Sequence, residues 1–183
     1  MKSLINKIKK LKKLGIIGIK QSLEDEGSSF EDLQLIKKIT KQSKLKLNVK
    51  IGGCEAKNDI FFCSNLKVNS IVAPMVESEY ALTKFLATVP KSFKGDLFVN
   101  LETKTSFKNI SSIIKSKNFK KLKGVVIGRS DLATSYGLSK SQVDSKSILK
   151  KIEKVLKQIK KKNKITKMGG SITPKSSEFI KNF

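Results

Sequence analysis

The chain has 183 residues and a formal net charge of +24, with 39 Lys and Arg against 15 Asp and Glu. This length is enough for one domain with a sizeable core, and the sequence has no run of 18 apolar residues that would indicate a membrane span. Two cysteines and no histidine give no sign of a disulfide framework or a zinc site, so we expect a cytoplasmic protein.

The positive charge is spread along the whole chain, which argues against a nucleic-acid partner. Arg129 is the only arginine among the 39 basic residues, and aromatic residues make up only 7% of the chain. Proteins that bind nucleic acids depend on Arg and on stacking aromatics, so we expect these lysines to lie on solvated helix faces. A single Arg indicates a position that requires a planar guanidinium.

Helical patterns alternate with apolar runs along the chain. Residues 1–13 predict an amphipathic helix, with Leu4, Ile5, Ile8 and Leu11 on one face. Near-continuous apolar runs predict strands at 15–21, 46–51, 70–76, 96–102, 123–128 and 165–169. This alternation is typical of a parallel α/β fold, either a doubly wound sheet or most of a (β/α)8 barrel, in a single domain over residues 1–183.

Polar residues follow the ends of these predicted strands, where parallel α/β proteins place their functional groups. Glu102 and Asp131 follow two consecutive strands. Their carboxylates should therefore meet at one end of the sheet, and two carboxylates suit a hard cation such as Mg²⁺.

Arg129 precedes Asp131 by two residues. If residues 129–131 are extended, alternation places both side chains on the same side of the strand. The guanidinium would then bind a substrate carboxylate, or it would form a bidentate salt bridge with Glu102 or with one of the acids at 24–26. The sequence leaves both roles open.

Five segments, in this order and at these separations, resemble the HpcH/HpaI aldolase and citrate lyase β-subunit family of phosphoenolpyruvate/pyruvate-binding barrels. They are "GIKQSLEDEG", "VKIGGCEA", "SIVAPMVES", "VNLETKT" and "VIGRSDLATSYGL". The resemblance implies a TIM-type barrel, a divalent metal (Mg²⁺ or Mn²⁺), and cleavage or formation of a C–C bond next to a 2-oxo acid or an acyl thioester.

The resemblance also implies roles for individual residues. Glu102 and Asp131 correspond to the metal-binding carboxylates. Lys50 stands where the family commonly has a substrate-binding arginine, and Asn100 stands where an amide is common beside the metal acid. The chain departs from the aldolase branch at Gly27, which replaces a proton-transfer histidine.

Without a histidine, the proton acceptor must come from Glu24, Asp25, Glu26 or a metal-bound hydroxide. The expected site residues are, for catalysis, Lys50, Glu24 and Glu26, and for substrate binding, Lys50, Asn100, Gly128 and Arg129.

The expected function is a metal-dependent C–C lyase that forms a metal-stabilised enolate of a small 2-oxo acid or an acyl-CoA ester. The alternative is a non-catalytic or truncated barrel that acts as a binding or regulatory module. Complete TIM barrels need about 250 residues, so we expect a barrel that is short or incomplete at its C-terminus. An open sheet would expose its strand edges, which predicts a homo-oligomer.

Overall fold

The computed structural model describes residues 2–181 and contains one sheet of six parallel strands. The strands are β1 (Gly18–Ser22), β2 (Lys46–Lys50), β3 (Ser70–Ala73), β4 (Asp96–Leu101), β5 (Gly124–Gly128) and β6 (Ile165–Gly169). The helices are α1 (Lys2–Lys13), α2 (Phe30–Gln42), α3 (Lys57–Asn65), α4 (Glu79–Thr88), α5 (Lys104–Lys108), α6 (Ile110–Lys115), α7 (Arg129–Ser135), α8 (Lys146–Lys160) and α9 (Pro174–Lys181). Within residues 2–181, each helix is too short or too polar to span a bilayer.

The strands pair in chain order from β1 to β6, and every pair is parallel. A doubly wound sheet would reverse its strand order at a switch point, so this order is that of a barrel. The sheet curls into a half-barrel, and among the described residues β1 and β6 each pair with one strand only. The predicted barrel-type α/β fold, short of a closed ring, is confirmed.

Alternate residues of each strand face opposite sides of the sheet, and the two sides differ in chemistry. The convex face packs against the helices and is fully buried at Leu47, Val49, Ile71, Ala73, Val99, Leu101, Val125 and Ile127. Register pairing places a mostly polar set on the other side, which we call the concave face: Lys20, Asn48, Lys50, Ser70, Val72, Phe98, Asn100, Val126 and Lys167. The hydrophobic core therefore lies between sheet and helices, and the concave face is left for polar groups.

The helices present apolar stripes to that core. In α8 the buried residues are Ile148, Ile152, Val155, Leu156 and Ile159, at the spacing of one helix face. The predicted N-terminal helix is present as α1, where Ile5 and Ile8 pack with Ile39 and Leu45 in a separate small cluster.

Two predicted strands differ from the observed ones by three residues at one end. Strand β1 begins at Gly18 instead of residue 15, because the chain turns after α1 through Gly15, whose φ of 95° suits glycine. Strand β3 ends at Ala73 instead of residue 76, because Pro74 lacks an N–H donor and Met75 has a φ of 50°.

The expectation of extended backbone at 129–131 is wrong. Helix α7 begins at Arg129, directly after β5, with Gly128 as its N-cap residue. Asp131 therefore lies in the first turn of a helix, where the helix dipole favours a carboxylate.

The two faces of β5 provide a matched test of this architecture. Val125 is fully buried on the convex face, whereas its neighbour Val126 is partly exposed on the concave face. We expect Val125→Ala to lower the free energy of unfolding by about 2 kcal/mol and Val126→Ala by less than about 1 kcal/mol. Denaturant titration measures both, and equal losses would contradict the assignment of the two faces.

Candidate functional site

A cavity of about 640 Å³ opens on the concave face and extends to the carboxyl ends of the strands. Side chains from all six strands or the segments that follow them line it. Among the residues singled out in the sequence, it is lined by Asp25, Lys50, Asn100, Glu102, Gly128 and Asp131. The topology thus brings together groups that are up to 106 residues apart (131 minus 25) in the chain.

Glu102 is the most buried of the acids in this cavity, with 1% of its surface exposed. Its Oε1 accepts a hydrogen bond from the backbone N–H of Met75 at 3.0 Å, and its Oε2 accepts one from Asn100 Nδ2 at 2.7 Å. Burial raises the pKa of Glu102, and the charge of Asp131 raises it further, while Met75, Lys50 and Asn100 oppose this.

Gly128 makes room for that carboxylate. A Cβ at position 128 would lie 2.8 Å from the Cβ of Glu102 and closer still to its Oε2. Real side chains do not approach so closely, so any residue other than glycine here would displace Glu102.

Lys50 is the buried cation of the cavity, with 6% of its surface exposed. Its Nζ forms a salt bridge with Asp25, whose side chain is half-exposed. Partial burial acts to raise the pKa of Asp25, but the hydrogen bond and charge of Lys50 outweigh it and lower that pKa. Asp25 therefore stays ionised and holds the Lys50 ammonium at the second strand end.

The sequence analysis assigned a catalytic role to Glu24 and Glu26. Neither residue lines the cavity. Glu24 is exposed to solvent. Glu26 turns back to the strand, where it accepts hydrogen bonds from Gln21 Nε2 at 2.9 Å and from the Ser22 backbone N–H at 3.0 Å. Of the three neighbouring acids, only Asp25 is placed to face a substrate in the cavity.

Arg129 is fully buried and does not line the cavity. It forms a salt bridge with Asp144, and its Nη2 donates to the carbonyl of Gly170 at 2.9 Å and to that of Ser171 at 3.0 Å. Ser176 joins this network by donating to Asp144 at 3.1 Å. The expectation that Arg129 forms a bidentate salt bridge with Glu102 or with the acids at 24–26 is wrong, because helix α7 directs the guanidinium toward the β6–α9 loop.

The donor set of the cavity fits a divalent cation. Glu102 and Asp131 share the cavity, and they are close enough for the charge of Asp131 to raise the pKa of Glu102. Asn100 Oδ1 is buried and has no hydrogen-bond partner among the described residues. Two carboxylates and an amide oxygen are the hard ligands that Mg²⁺ and Mn²⁺ accept, with water or substrate completing the shell. No group of three Cys, Asp or Glu within residues 2–181 offers an alternative site.

Sequence reasoning missed three lysines of the cavity, Lys20, Lys140 and Lys167. Lys20 and Lys167 lie on the concave faces of β1 and β6. Residues two apart in a strand face the same side, so the position of Lys167 two residues before Gly169 would have placed it on that face. Lysine is so frequent in this chain that a single lysine is not a specific signal.

A second cavity, of about 770 Å³, opens at the amino ends of the strands, near Lys46, Asn69 and Asp96. In barrels of this kind the amino ends serve stability and the carboxyl ends carry function. We therefore place the functional site in the cavity that holds Glu102.

Comparison with known proteins agrees with this architecture. A family profile described as HpcH/HpaI aldolase/citrate lyase matches residues 31–175. A search of the curated proteins found no match.

Three solved structures resemble the chain over 97% of its length. The citrate synthase SbnG has a TM-score of 0.80 at 12% identity, with 78% of its chain covered. An HpcH/HpaI aldolase from Desulfitobacterium hafniense DCB-2 has a TM-score of 0.78 at 11% identity, with 78% covered. An HpcH/HpaI aldolase/citrate lyase family protein from Burkholderia cenocepacia J2315 has a TM-score of 0.81 at 12% identity, with 80% covered. At these identities the likeness shows the fold.

Gly128→Ala should disturb the carboxylate pair. The added methyl group overlaps Glu102, so we expect the free energy of unfolding to fall by about 1–3 kcal/mol and Mg²⁺ binding to weaken. Gly169→Ala is the matched control, because it lies opposite Gly128 in β6 and its Cβ would meet nothing within 4 Å. Calorimetric titration and thermal melting measure both effects, and equal behaviour of the two variants would refute the packing of Glu102 on Gly128.

Arg129→Lys should destabilise the protein without altering the cavity lining. The guanidinium bonds Asp144 through Nη1 and the two carbonyls through Nη2, whereas lysine offers one nitrogen, so we expect a loss of about 1–3 kcal/mol in the free energy of unfolding. Asp144→Asn, which leaves the buried guanidinium without its counter-charge, should cost about 3–5 kcal/mol. An unchanged melting temperature in both variants would show that this network does not stabilise the fold.

Proposed function

The chain belongs to the HpcH/HpaI aldolase/citrate lyase family, and on that premise we propose that it is a divalent-metal-dependent C–C lyase acting on a small 2-oxo acid or an acyl thioester. One observation carries the proposal. Glu102 and Asp131 share a single cavity with a buried cation, Lys50, and a buried amide, Asn100.

Glu102 and Asp131 would hold the metal, and the unpartnered Oδ1 of Asn100 is available beside them. Members of this family generally depend on a divalent metal. When bound, Mg²⁺ or Mn²⁺ supplies a Lewis acid that stabilises negative charge developing on a substrate oxygen.

Lys50 supplies the positive charge that binds an anionic group of the substrate. Its ammonium is buried and held by Asp25, so little side-chain freedom is lost when a carboxylate binds. The same charge lies close enough to lower the pKa of Glu102, so it supports the ionised form of that side chain.

Asp25 is the acid from the first strand end that is placed to move a proton. It lines the cavity and contacts Lys50, whereas Glu24 and Glu26 do not line it. We therefore transfer the proton-transfer role expected of Glu24 and Glu26 to the Asp25–Lys50 pair.

One observation favours the second candidate, a metal-binding module without catalysis. The salt bridge with Lys50 lowers the pKa of Asp25, which makes this carboxylate a weak base at neutral pH. A cavity that binds the metal and an anion but turns nothing over would fit that arrangement.

Release of pyruvate from 4-hydroxy-2-oxo acids, and of acetyl-CoA from 3-hydroxyacyl-CoA esters, tests the two candidates with and without Mg²⁺. We expect Mg²⁺-dependent turnover that Glu102→Gln abolishes, while Lys50→Ala raises KM about ten- to a hundredfold, because a hydrogen bond to a charged group contributes about 1.5–3 kcal/mol. Glu31→Gln and Lys57→Ala, both at exposed positions outside the cavity, are the matched controls.

Saturable Mg²⁺ binding without turnover of any substrate would favour the binding module. An unchanged KM in Lys50→Ala would remove Lys50 from the substrate site.

A further inference from the structure

Helix α1 and the turn that follows it expose four large apolar side chains. Leu4 and Leu11 are each 45% exposed, Leu14 is 81% exposed and Ile17 is 78% exposed. The Leu14 N–H bonds the Leu11 carbonyl at 2.9 Å, so the helical turn continues through Leu14. Leu11 and Leu14 follow Leu4 at spacings that place all three leucines along one side of the helix. We call Leu4, Leu11, Leu14 and Ile17 the N-terminal apolar patch.

The protein holds α1 by a different side of the helix. Ile8 packs with Ile39 and Leu45, and Lys12 Nζ donates to the carbonyl of Lys44 at 3.3 Å. Lys44 and Leu45 directly precede β2, so α1 lies near the amino ends of the strands. The cavity that holds the metal-binding carboxylates reaches the opposite ends, and α1 therefore leaves it free.

The charge around the N-terminal apolar patch is of one sign. Lys7, Lys9, Lys10 and Lys13 are exposed on α1, and the first acid in the chain is Glu24. Among residues 2–181, no salt bridge joins these four lysines to a carboxylate. Lys7 and Lys10 each lie one helical turn from leucines of the patch. The surface therefore combines exposed apolar side chains with positive charge that the protein does not neutralise, which fits an anionic partner.

The apolar side chains distinguish between anionic partners. A bilayer that contains anionic lipids accepts apolar side chains below its headgroups, while its phosphates attract lysines. A nucleic acid offers phosphates and bases that stack on aromatic side chains, but residues 2–17 contain neither an arginine nor an aromatic residue. A second copy of the chain would bring the same lysines together, and like-charge repulsion opposes that contact.

We propose that α1 and the N-terminal apolar patch form an interfacial surface that binds the protein to membranes containing anionic lipids. The patch inserts at the boundary between headgroups and acyl chains, and Lys7 and Lys10 contact the lipid phosphates. Because α1 lies near the amino ends of the strands, the cavity with Glu102 stays open to solvent while the protein is bound. This binding is independent of the proposed lyase activity.

Co-sedimentation of the full chain with lipid vesicles tests the proposal. We expect binding to vesicles of equal parts phosphatidylcholine and phosphatidylglycerol, no binding to phosphatidylcholine alone, and weaker binding as salt is added. Lys7→Gln combined with Lys10→Gln should weaken binding about ten- to thirtyfold. Leu14→Ser combined with Ile17→Ser, which keeps every charge, should weaken it about tenfold.

Two matched controls remove equivalent groups elsewhere. Lys150→Gln combined with Lys154→Gln removes the same charge from exposed positions on α8, and Phe61→Ser removes an exposed apolar side chain from α3. Both should keep vesicle binding within about twofold of the wild type. Melting temperatures equal to that of the wild type would show that losses in the α1 variants report the surface and not the fold.

Three results would overturn the proposal. The first is a wild-type chain that does not bind the anionic vesicles. The second is binding that Leu14→Ser with Ile17→Ser leaves unchanged, or that the α8 pair weakens as much as the α1 pair, because the net charge alone would then explain it. The third is a dimer, measured by light scattering, that Leu14→Ser with Ile17→Ser dissociates, because a second copy would then cover the patch.

Discussion

A carboxylate that is removed from water is stable only where hydrogen-bond donors or cations replace the solvent. Glu102 is in that position, with 1% of its surface exposed at the end of β4. The N–H of Met75 reaches it because the backbone turns at a φ of 50° after β3. Asn100 donates to it from the same strand, and Gly128 leaves room for it from the next strand. Burial nevertheless raises its pKa, so ionisation at neutral pH destabilises the metal-free protein, and a bound cation would relieve that penalty.

The half-barrel makes this arrangement possible by separating two environments. Its convex face and helices form the hydrophobic core, and its concave face collects polar groups in a cavity of about 640 Å³. Loops at the carboxyl ends add the remaining groups, and the buried Arg129 fixes one of these loops by binding the carbonyls of Gly170 and Ser171. Gly170 in turn packs against the start of α7, the helix that carries Asp131. The site therefore depends on contacts well outside its own lining.

Much of the fold was predictable from the sequence, because continuous apolar runs identify strands that are buried on a sheet face. All six predicted strands are present in the structure. Their ends were less predictable, since the turns at Gly15 and Met75 depend on single backbone angles.

The sequence also predicted that Lys50, Asn100, Glu102 and Asp131 would lie at one end of the sheet. It missed the direction of Arg129, because "GRSDL" is compatible with both a strand and a helix start. It could not distinguish Asp25 from Glu24 and Glu26, whose orientations depend on Gln21 and the Ser22 backbone. The sequence did not predict Lys167 as a residue of the cavity, because lysine is abundant throughout the chain.

The proposed lyase activity depends on the binding of one divalent cation by Glu102 and Asp131. Mn²⁺ titration followed by electron paramagnetic resonance measures it most directly, because free and bound Mn²⁺ give distinct signals. The account predicts one bound Mn²⁺ per chain, displaced by excess Mg²⁺, with binding lost in both Glu102→Gln and Asp131→Asn and kept in Glu31→Gln. Binding of Mn²⁺ that is indifferent to both carboxylates, or no binding at neutral pH, would contradict it.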